Sequence, residues 1–340
     1  MSVHAIRIGD TAIISPDMDA RMGGNINGPA LIRMPDWAAG RLATYYLYFS
    51  DHKGTYIRLA YADRLTGPWT LHTPGVLDVK DSLFEPVDPP EPPESERPAW
   101  AKKMKGGYLY AHIASPDIHV DHANQCIRMY YHGLLRNGDQ LTRLAVSSDG
   151  LVFKPKAPLL GPPYFRAFQF GEFIYAITWG GEIWRAPNWE GPFEPGPQVI
   201  PYSTEGGAGP YSTEGGTGPY STKGGAGKGF RHGEVHRVGN MLHILYTRMG
   251  DRPERILHTT LDLRGEWTSW VASDPRTLLE PELDWEGADL ALETSVMGGV
   301  DRRVRELRDP CVFEDSDGEI YLLYCGAGES GIGIAALTGF

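Results

Sequence analysis

Short apolar strands recur along this chain, each introduced by a small or polar turn and each followed by an aromatic-rich strand. Five such pairs of strands are recognisable, at residues 27–32 and 45–49, 115–118 and 127–131, 165–168 and 173–176, 233–236 and 241–246, and 309–313 and 320–324. Units of strands that repeat roughly every forty to seventy residues are typical of β-sheet blades arranged around an axis. The pattern therefore predicts an all-β fold, a five-bladed β-propeller.

Further strands within each unit define the predicted blades. These blades cover residues 26–75, 108–156, 162–196, 229–272 and 306–340. The last unit is one strand short, and an N-terminal strand at 5–8 or at 12–14 would complete it. Such a strand would close the ring and remove a free sheet edge. Because the units extend along the whole chain, we expect one domain over residues 1–340.

Two insertions interrupt the repeat. A Pro-rich, charged segment begins at 88–93, and a nine-residue sequence at 201–209 is copied at 210–218 and again at 219–227. Its Gly-Gly and Gly-Pro steps cannot support a packed core, so 201–227 is predicted to be a loop insertion at the surface. Because it directly precedes the fourth inner strand, a lid over the central pocket is the alternative.

Composition and charge narrow the classes of function. The chain has 340 residues, 41% of them hydrophobic, and a net charge of −11 that argues against nucleic acid as the main partner. No run of apolar residues has the length of a membrane span, and the N-terminus lacks the features of a signal peptide. Cys126, Cys311 and Cys325 are odd in number and lack metal-binding spacing. We expect a cytoplasmic protein with reduced cysteines that binds neither nucleic acid nor membranes; its oligomeric state stays open.

Several segments resemble a known group of enzymes. They are residues 45–50, the Ser-Pro-Asp-Ile sequence at 115–118, the Arg-Asp-Pro sequence at 308–310 and residues 317–322. Together with the blade pattern, which covers nearly the whole chain, they resemble the five-bladed propeller glycoside hydrolases of families 43, 32, 62 and 117. The resemblance implies a carbohydrate substrate in a central pocket, and hydrolysis with inversion of configuration.

The resemblance also implies three carboxylates. A first-blade Asp acts as general base, a second-blade Asp orients and tunes, and a Glu of the third or fourth blade is the general acid. Cleavage of an acetal needs one carboxyl protonated beside the leaving oxygen and another ionised across the sugar ring. Asp117 matches the second-blade position. The base position before Pro29 is Gly28, beside Asn27, and the acid position is Arg231, so this chain departs from the family at two positions.

Other acidic residues occupy comparable places. Asp309 lies in the Arg-Asp-Pro triplet, which in family 32 supplies a carboxylate that contacts sugar hydroxyls, and Glu234 aligns with Asp117. We therefore predict Asp117, Glu234 and Asp309 as the catalytic residues, without dividing acid and base between them. The alternatives are a turn cap for Asp309 and solvated strand entries for the other two.

Cationic residues accompany these acids at the inner-strand starts. A guanidinium group suits carboxylate or phosphate recognition, and it is costly to bury without an anion. The arginines could pair with the three carboxylates, or they could bind an acidic substrate such as a uronic-acid-containing glycan. The predicted substrate-binding residues are Asn27, Arg166, Arg231, His232 and Arg308.

Histidines add a further possibility. By strand alternation His119 shares a face with Asp117, and His236 shares one with Glu234, but the spacing matches no zinc signature. We predict no metal site and no required cofactor, with a structural calcium ion in the central channel as the alternative.

Three hypotheses for function follow. The first is a glycoside hydrolase-like enzyme that cleaves a terminal glycosidic bond, with an acidic glycan as the candidate substrate. The second is a catalytically inactive glycan-binding propeller. The third is a lyase or isomerase for an acidic sugar, in which a His or Tyr base faces the arginines.

Overall fold

The computed structural model describes residues 2–97, 109–201 and 229–340. The tandem repeat from 202 to 227 and the predicted start of the second blade at 108 lie outside the described residues. Within the described ranges no helix is long and apolar enough to cross a membrane.

Twenty strands of the described residues form five antiparallel sheets of four strands each. The first sheet contains β2 (Asn27–Arg33), β3 (Tyr45–Ser50), β4 (Tyr56–Ala62) and β5 (Thr70–Asp78). The second contains β6 (Ile113–Asp121), β7 (Cys126–Leu134), β8 (Gln140–Ser147) and β9 (Lys154–Pro155). The third contains β10 (Arg166–Phe170), β11 (Phe173–Ile177), β12 (Glu182–Ala186) and β13 (Glu194–Gln198). The fourth contains β14 (Phe230–Val238), β15 (Met241–Arg248), β16 (Ile256–Asp262) and β17 (Arg276–Leu279). The fifth contains β18 (Arg308–Glu314), β19 (Ile320–Cys325), β20 (Ile332–Thr338) and the N-terminal β1 (His4–Arg7).

The arrangement is the predicted five-bladed β-propeller. The first four sheets are built in chain order from the inner strand outward, and in the fifth β18, β19 and β20 are followed by the N-terminal β1. The inner strands β2, β6, β10, β14 and β18 lie around the axis. All five inner strands therefore begin at one end of the ring, which we call the mouth. The loops between second and third strands return to this same end.

The ring closes as the sequence predicts. Strand β1 pairs antiparallel with β20, with Ala5 opposite Leu337, and it supplies the fourth strand of the last blade. The second candidate segment contributes as well, because Ile14 forms an isolated bridge to Ile332. Both apolar stretches of the N-terminus thus cover the edge that the last blade would otherwise expose.

Three blades extend beyond their predicted ends. Strand β5 continues to Asp78, β13 continues to Gln198, and β17 begins at Arg276, beyond the predicted limit of 272. The segment around Trp267, inside the predicted fourth blade, forms a short 3-10 turn. Its indole is 6.0 Å from the ring of Tyr175, and a Cβ on Gly196 would lie 2.2 Å from it. Trp267 therefore fills the space between blades rather than extending a sheet.

The core consists of five apolar clusters, each shared by two neighbouring blades. Between the first two blades, for example, Tyr46 and Tyr48 of β3 pack with Ile113 and Met129, and all four are buried. The faces of each blade are therefore occupied by packing. Polar groups of the inner strands can gather at their starts, at the mouth.

Candidate active site

Four inner strands pair irregularly with the second strand of their blade, close to where the inner strand begins. In each of them the two residues that follow Asn27, Ala114, Phe230 or Arg308 are left out of the pairing. Such bulges bend a strand and redirect its side chains, and they are frequent at active sites. The residues within them include Gly28, Ser115, Arg231, His232 and Asp309.

The pairing of inner and second strands corrects the alignment of Glu234 with Asp117 that was made from the sequence. Asp117 pairs with Tyr130 and Gly233 pairs with Tyr246, each directly after its bulge. Gly233 is thus the equivalent of Asp117, and the predicted equivalence of Glu234 is wrong by one residue. The cause is that the fourth blade carries its bulge at residues 231–232 without a proline to mark it.

Asp117 is held firmly in the ionised form. Its Oδ2 accepts a hydrogen bond from the Ala167 amide at 2.9 Å and lies 2.9 Å from Nε2 of His119. Burial favours the neutral carboxyl, but His119, the Arg166 guanidinium and the amide outweigh it, so the pKa of Asp117 is lowered. The sequence prediction that His119 shares a strand face with Asp117 is confirmed by this contact.

Arg166 joins three blades through their backbones. Its Nε donates to the Gly233 carbonyl at 2.8 Å, and Nη1 donates to the carbonyls of Phe165 at 2.9 Å and Ser115 at 3.4 Å. The same Nε is 3.9 Å from Oε2 of Glu234. The guanidinium is therefore a neighbour of this carboxyl, while its hydrogen bonds go to main-chain oxygens.

Glu234 is the most exposed of the three predicted catalytic carboxyls, with 12% of its side chain accessible. Its Oε1 accepts the Val235 amide at 2.8 Å. Burial and the neighbouring negative charge of Asp117 raise the pKa of Glu234 to about 8, and Arg166 only partly opposes them. This carboxyl is therefore largely protonated at neutral pH.

Asp309 and His232 form a buried pair between the fourth and fifth blades. Nδ1 of His232 lies 2.6 Å from Oδ1 of Asp309. Burial acts against ionisation, but His232 and the guanidinium groups of Arg308 and Arg166 prevail, so the pKa of Asp309 is lowered. The ring of Tyr164 packs against His232, with 4.8 Å between ring centres.

Arg231 and Arg308 are bound by glutamates that the sequence analysis did not identify. Arg308 has no exposed side-chain surface, and it donates to Glu306 at 2.8 Å and to Glu329 at 2.9 Å. Arg231 donates through Nε to Glu254 at 2.8 Å. The expectation that arginines pair with carboxylates is thus met by a different set of acids.

A topological signal could have found two of these partners. Glu254 and Glu329 lie in the loops between second and third strands of their blades, which return to the mouth. These loops lack the turn-and-strand pattern of the inner-strand starts, so that pattern alone does not point to them.

Asn27 and Gly28 complete the first-blade side of the site. Oδ1 of Asn27 accepts the Ser50 hydroxyl at 2.7 Å, and Nδ2 is 3.5 Å from Glu329. Gly28 has φ 58°, and a Cβ there would lie 3.0 Å from Cα of Ser115. A side chain at the position where the resembling enzymes carry a carboxylate would therefore crowd the backbone of the second blade.

The described residues contain no group of three or more His, Cys, Asp or Glu side chains that could hold a metal ion. A calcium ion needs six to eight oxygen ligands. Asp117 and Asp309 instead contact imidazoles, and burial raises the pKa of Glu234 to about 8. The residues present do not fit the calcium ion considered from sequence.

The fold and the position of this site define the class, a five-bladed β-propeller of the architecture found in family 43 glycoside hydrolases. A thermostable family 43 glycoside hydrolase superimposes with a TM-score of 0.53 at 14% identity, covering 93% of this chain and 90% of that one. A family 43 β-xylosidase/α-arabinofuranosidase from a compost microbial metagenome gives 0.55 at 13% identity, covering 99% and 96%. An N-acetylgalactosamine deacetylase from F. plautii gives 0.54 at 11% identity, covering 99% and 96%. At such identities the likeness establishes the fold alone, and the deacetylase shows that this fold also carries another reaction.

In sequence, no family model matches the chain. The chain is 35% identical over 324 residues to the uncharacterized protein R118 of Acanthamoeba polyphaga mimivirus, covering 92% of this chain and 83% of the relative. It belongs to the same family as that viral protein.

Proposed function

We propose that this protein is a glycosidase that acts at the mouth of the propeller. In this proposal Glu234 is the general acid, Asp117 is the carboxylate that keeps Glu234 protonated, and Asp309 is the general base. The observation that carries the proposal is the group of neighbouring side chains Glu234, Asp117 and Arg166, in which burial raises the pKa of Glu234 to about 8 while the pKa of Asp117 is lowered. Carboxyl groups whose surroundings drive their pKa values apart are the usual basis for dividing acid and base roles.

The chemistry follows from these protonation states. Glu234 donates its proton to the glycosidic oxygen as the bond from that oxygen to the anomeric carbon breaks. Asp309, held by His232, accepts a proton from the water that attacks the anomeric carbon. The products are a free sugar and an alcohol. Inversion of configuration is what the resemblance implies for this scheme.

The proposal also concerns whether the substrate is an acidic glycan. The prediction of an acidic glycan depends on free guanidinium groups, but Arg231 and Arg308 already donate to Glu254, Glu306 and Glu329. Arg166 alone adjoins the predicted acid, so an acidic substrate would have to be recognised there. A matched pair of 4-nitrophenyl β-glucoside and β-glucuronide tests this, because recognition of the carboxylate predicts that an Arg166→Gln variant loses more turnover on the glucuronide than on the glucoside.

The activity is tested with a panel of 4-nitrophenyl and 2,4-dinitrophenyl glycosides of pentoses, hexoses and uronic acids. Dinitrophenolate leaves without protonation, so a Glu234→Gln variant should keep its rate on the dinitrophenyl glycoside. On a glycoside of the same sugar whose leaving group does need a proton from the general acid, kcat/KM of this variant should fall by about a hundred- to ten-thousand-fold. Glu319→Gln, at an exposed turn, is the matched control. Equal losses on both leaving groups would remove Glu234 from the role of acid.

A glycan-binding protein without catalysis is the second candidate, and a specific observation favours it. The first-blade base position is Gly28, which carries no carboxylate and where a Cβ would lie 3.0 Å from Cα of Ser115. This candidate predicts no turnover of any glycoside in the panel, together with retention of the protein on immobilised glycans.

The third hypothesis, a lyase or isomerase, is favoured by His232 with Tyr164 packed on it, next to Arg231 in the chain. A lyase would form an unsaturated uronide, which ultraviolet absorbance detects during incubation with uronic-acid oligosaccharides. A shift of the sugar's proton resonances without bond cleavage would indicate an isomerase.

A further inference from the structure

The long connection between β17 and β18 crosses the mouth. Its residues 295–300, which we call the strap, contact three blades in succession. At the fourth blade, the Ser295 amide donates to the Asp251 carbonyl at 3.0 Å, and the Gly250 amide donates to the Ser295 hydroxyl at 2.9 Å. At the first blade, the Gly299 amide donates to Nε2 of His52 at 2.9 Å.

Two arginines hold the middle of the strap. The Gly298 carbonyl accepts from Nη1 of Arg231 at 3.1 Å and from Nη1 of Arg308 at 3.2 Å, and the Val296 carbonyl also accepts from Arg231. These arginines directly precede His232 and Asp309 in the chain. The strap therefore crosses the mouth beside the proposed base.

His52 fastens the end of the strap. Since Nε2 accepts the Gly299 amide, the ring proton lies on Nδ1, which is 3.7 Å from Glu329. Burial lowers the pKa of His52, so the imidazole stays neutral and can accept. The contact is close, because a Cβ on Gly299 would lie 2.5 Å from Cγ of His52.

We propose that the strap, fastened by His52, closes the fourth-, fifth- and first-blade side of the mouth and so restricts cleavage to the ends of glycan chains. This inference rests on the proposed glycosidase function. Cleavage of an internal bond requires the chain to leave the site in two directions. The strap blocks one of them with backbone anchored at three of the five blades.

The test uses variants that separate the fastening from the chemistry. His52→Leu removes the acceptor for the Gly299 amide, and His52→Gln restores one. Gly299→Val forces the strap away from the ring. Val296→Ala is the matched control, because its side chain is exposed and only its carbonyl is bonded. The substrate is a linear hexasaccharide, labelled at the reducing end, of the sugar whose aryl glycoside the wild type cleaves.

The wild type, Val296→Ala and His52→Gln should release single sugars from one end. His52→Leu and Gly299→Val should increase internal fragments about fivefold or more, as expected for the loss of one hydrogen bond, while aryl glycoside turnover persists. Internal fragments from the wild type, or none from the two opened variants, would overturn the inference and leave the glycosidase proposal standing.

A second measurement does not depend on activity. Hydrogen exchange of the peptide spanning residues 289–304 should rise about fivefold in His52→Leu and remain at the wild-type rate in His52→Gln. An unchanged rate in His52→Leu would show that His52 does not fasten the strap. A wild type that cleaves no glycoside in the panel would instead overturn the proposed function, and the chain-end restriction with it.

Discussion

Nε of Arg166 lies 3.9 Å from Oε2 of Glu234 and donates its hydrogen bond to the Gly233 carbonyl. The contrast with Arg231, whose Nε donates directly to Glu254 at 2.8 Å, is informative. A direct charge-assisted hydrogen bond would stabilise the carboxylate form of Glu234. Because Arg166 stays at a longer distance, the pKa of Glu234 remains raised, at about 8.

The first prediction concerns the alkaline side of the activity profile. A general acid works only while protonated, so kcat/KM should fall as the pH rises through about 8, the pKa of Glu234. Asp117→Asn removes a negative charge that raises this pKa, so the alkaline limb should move to lower pH by roughly one unit. Rates measured from pH 5 to 10 for both proteins check this.

The control for this shift is Asp139→Asn, which removes a carboxylate from a turn outside the proposed site. It should leave the limb in place. A limb that stays near its wild-type pH in Asp117→Asn would show that Asp117 does not tune Glu234.

The second prediction concerns the acidic side of the profile. A general base works only while ionised, and His232 helps to lower the pKa of Asp309 against the effect of burial. His232→Gln should therefore raise that pKa and move the acidic limb of kcat/KM to higher pH, by roughly one unit. His122→Gln, at an exposed turn, serves as the control. A uniform loss of rate with no movement of the limb would mean that His232 contacts substrate rather than Asp309.

The third prediction separates a structural role of Arg308 from substrate binding. Arg308→Leu leaves Glu306 and Glu329 without their cation, which should lower the free energy of unfolding by about 3–5 kcal/mol. Arg308→Lys keeps the charge and should lose less. Urea unfolding measures both, and Arg264→Ala, at an exposed pair with Asp262, is the control. Normal stability with lost activity in Arg308→Leu would assign this arginine to the substrate.

The architecture could be predicted from the sequence because it depends on local patterns. The turn, strand and aromatic strand of each blade recur in every unit, and the missing strand of the last blade left β1 as the natural completion. The fourth blade extends beyond its predicted limit of 272, because Trp267 packs between blades and the last strand comes after it. Such packing depends on residues from another blade, which a local pattern does not contain.

The candidate site was predictable only in part for the same reason. Asp117 and Asp309 were selected by their positions at inner-strand starts, whereas Glu234 was selected by an alignment that is wrong by one residue. The partners of Arg231 and Arg308 come from loops far along the chain, and the strap has no regular pattern at all. The exact register also depends on where each bulge falls, which a proline marks at Pro116 but nothing marks at residues 231–232.

The last prediction concerns Gly28, the position at which the resembling enzymes carry the first-blade carboxylate. Gly28→Asp should not raise the activity, because the new Cβ would lie 3.0 Å from Cα of Ser115 and would have to displace that backbone. Gly28→Ala should lower the free energy of unfolding by about 2–4 kcal/mol, combining backbone strain with crowding. Gly9→Ala is the matched control, since φ is also positive at 82° but no atom lies within 4 Å of the new Cβ, and it should cost about 1 kcal/mol. Equal costs at the two glycines, by urea unfolding, would show that space at Gly28 is not what excludes the carboxylate.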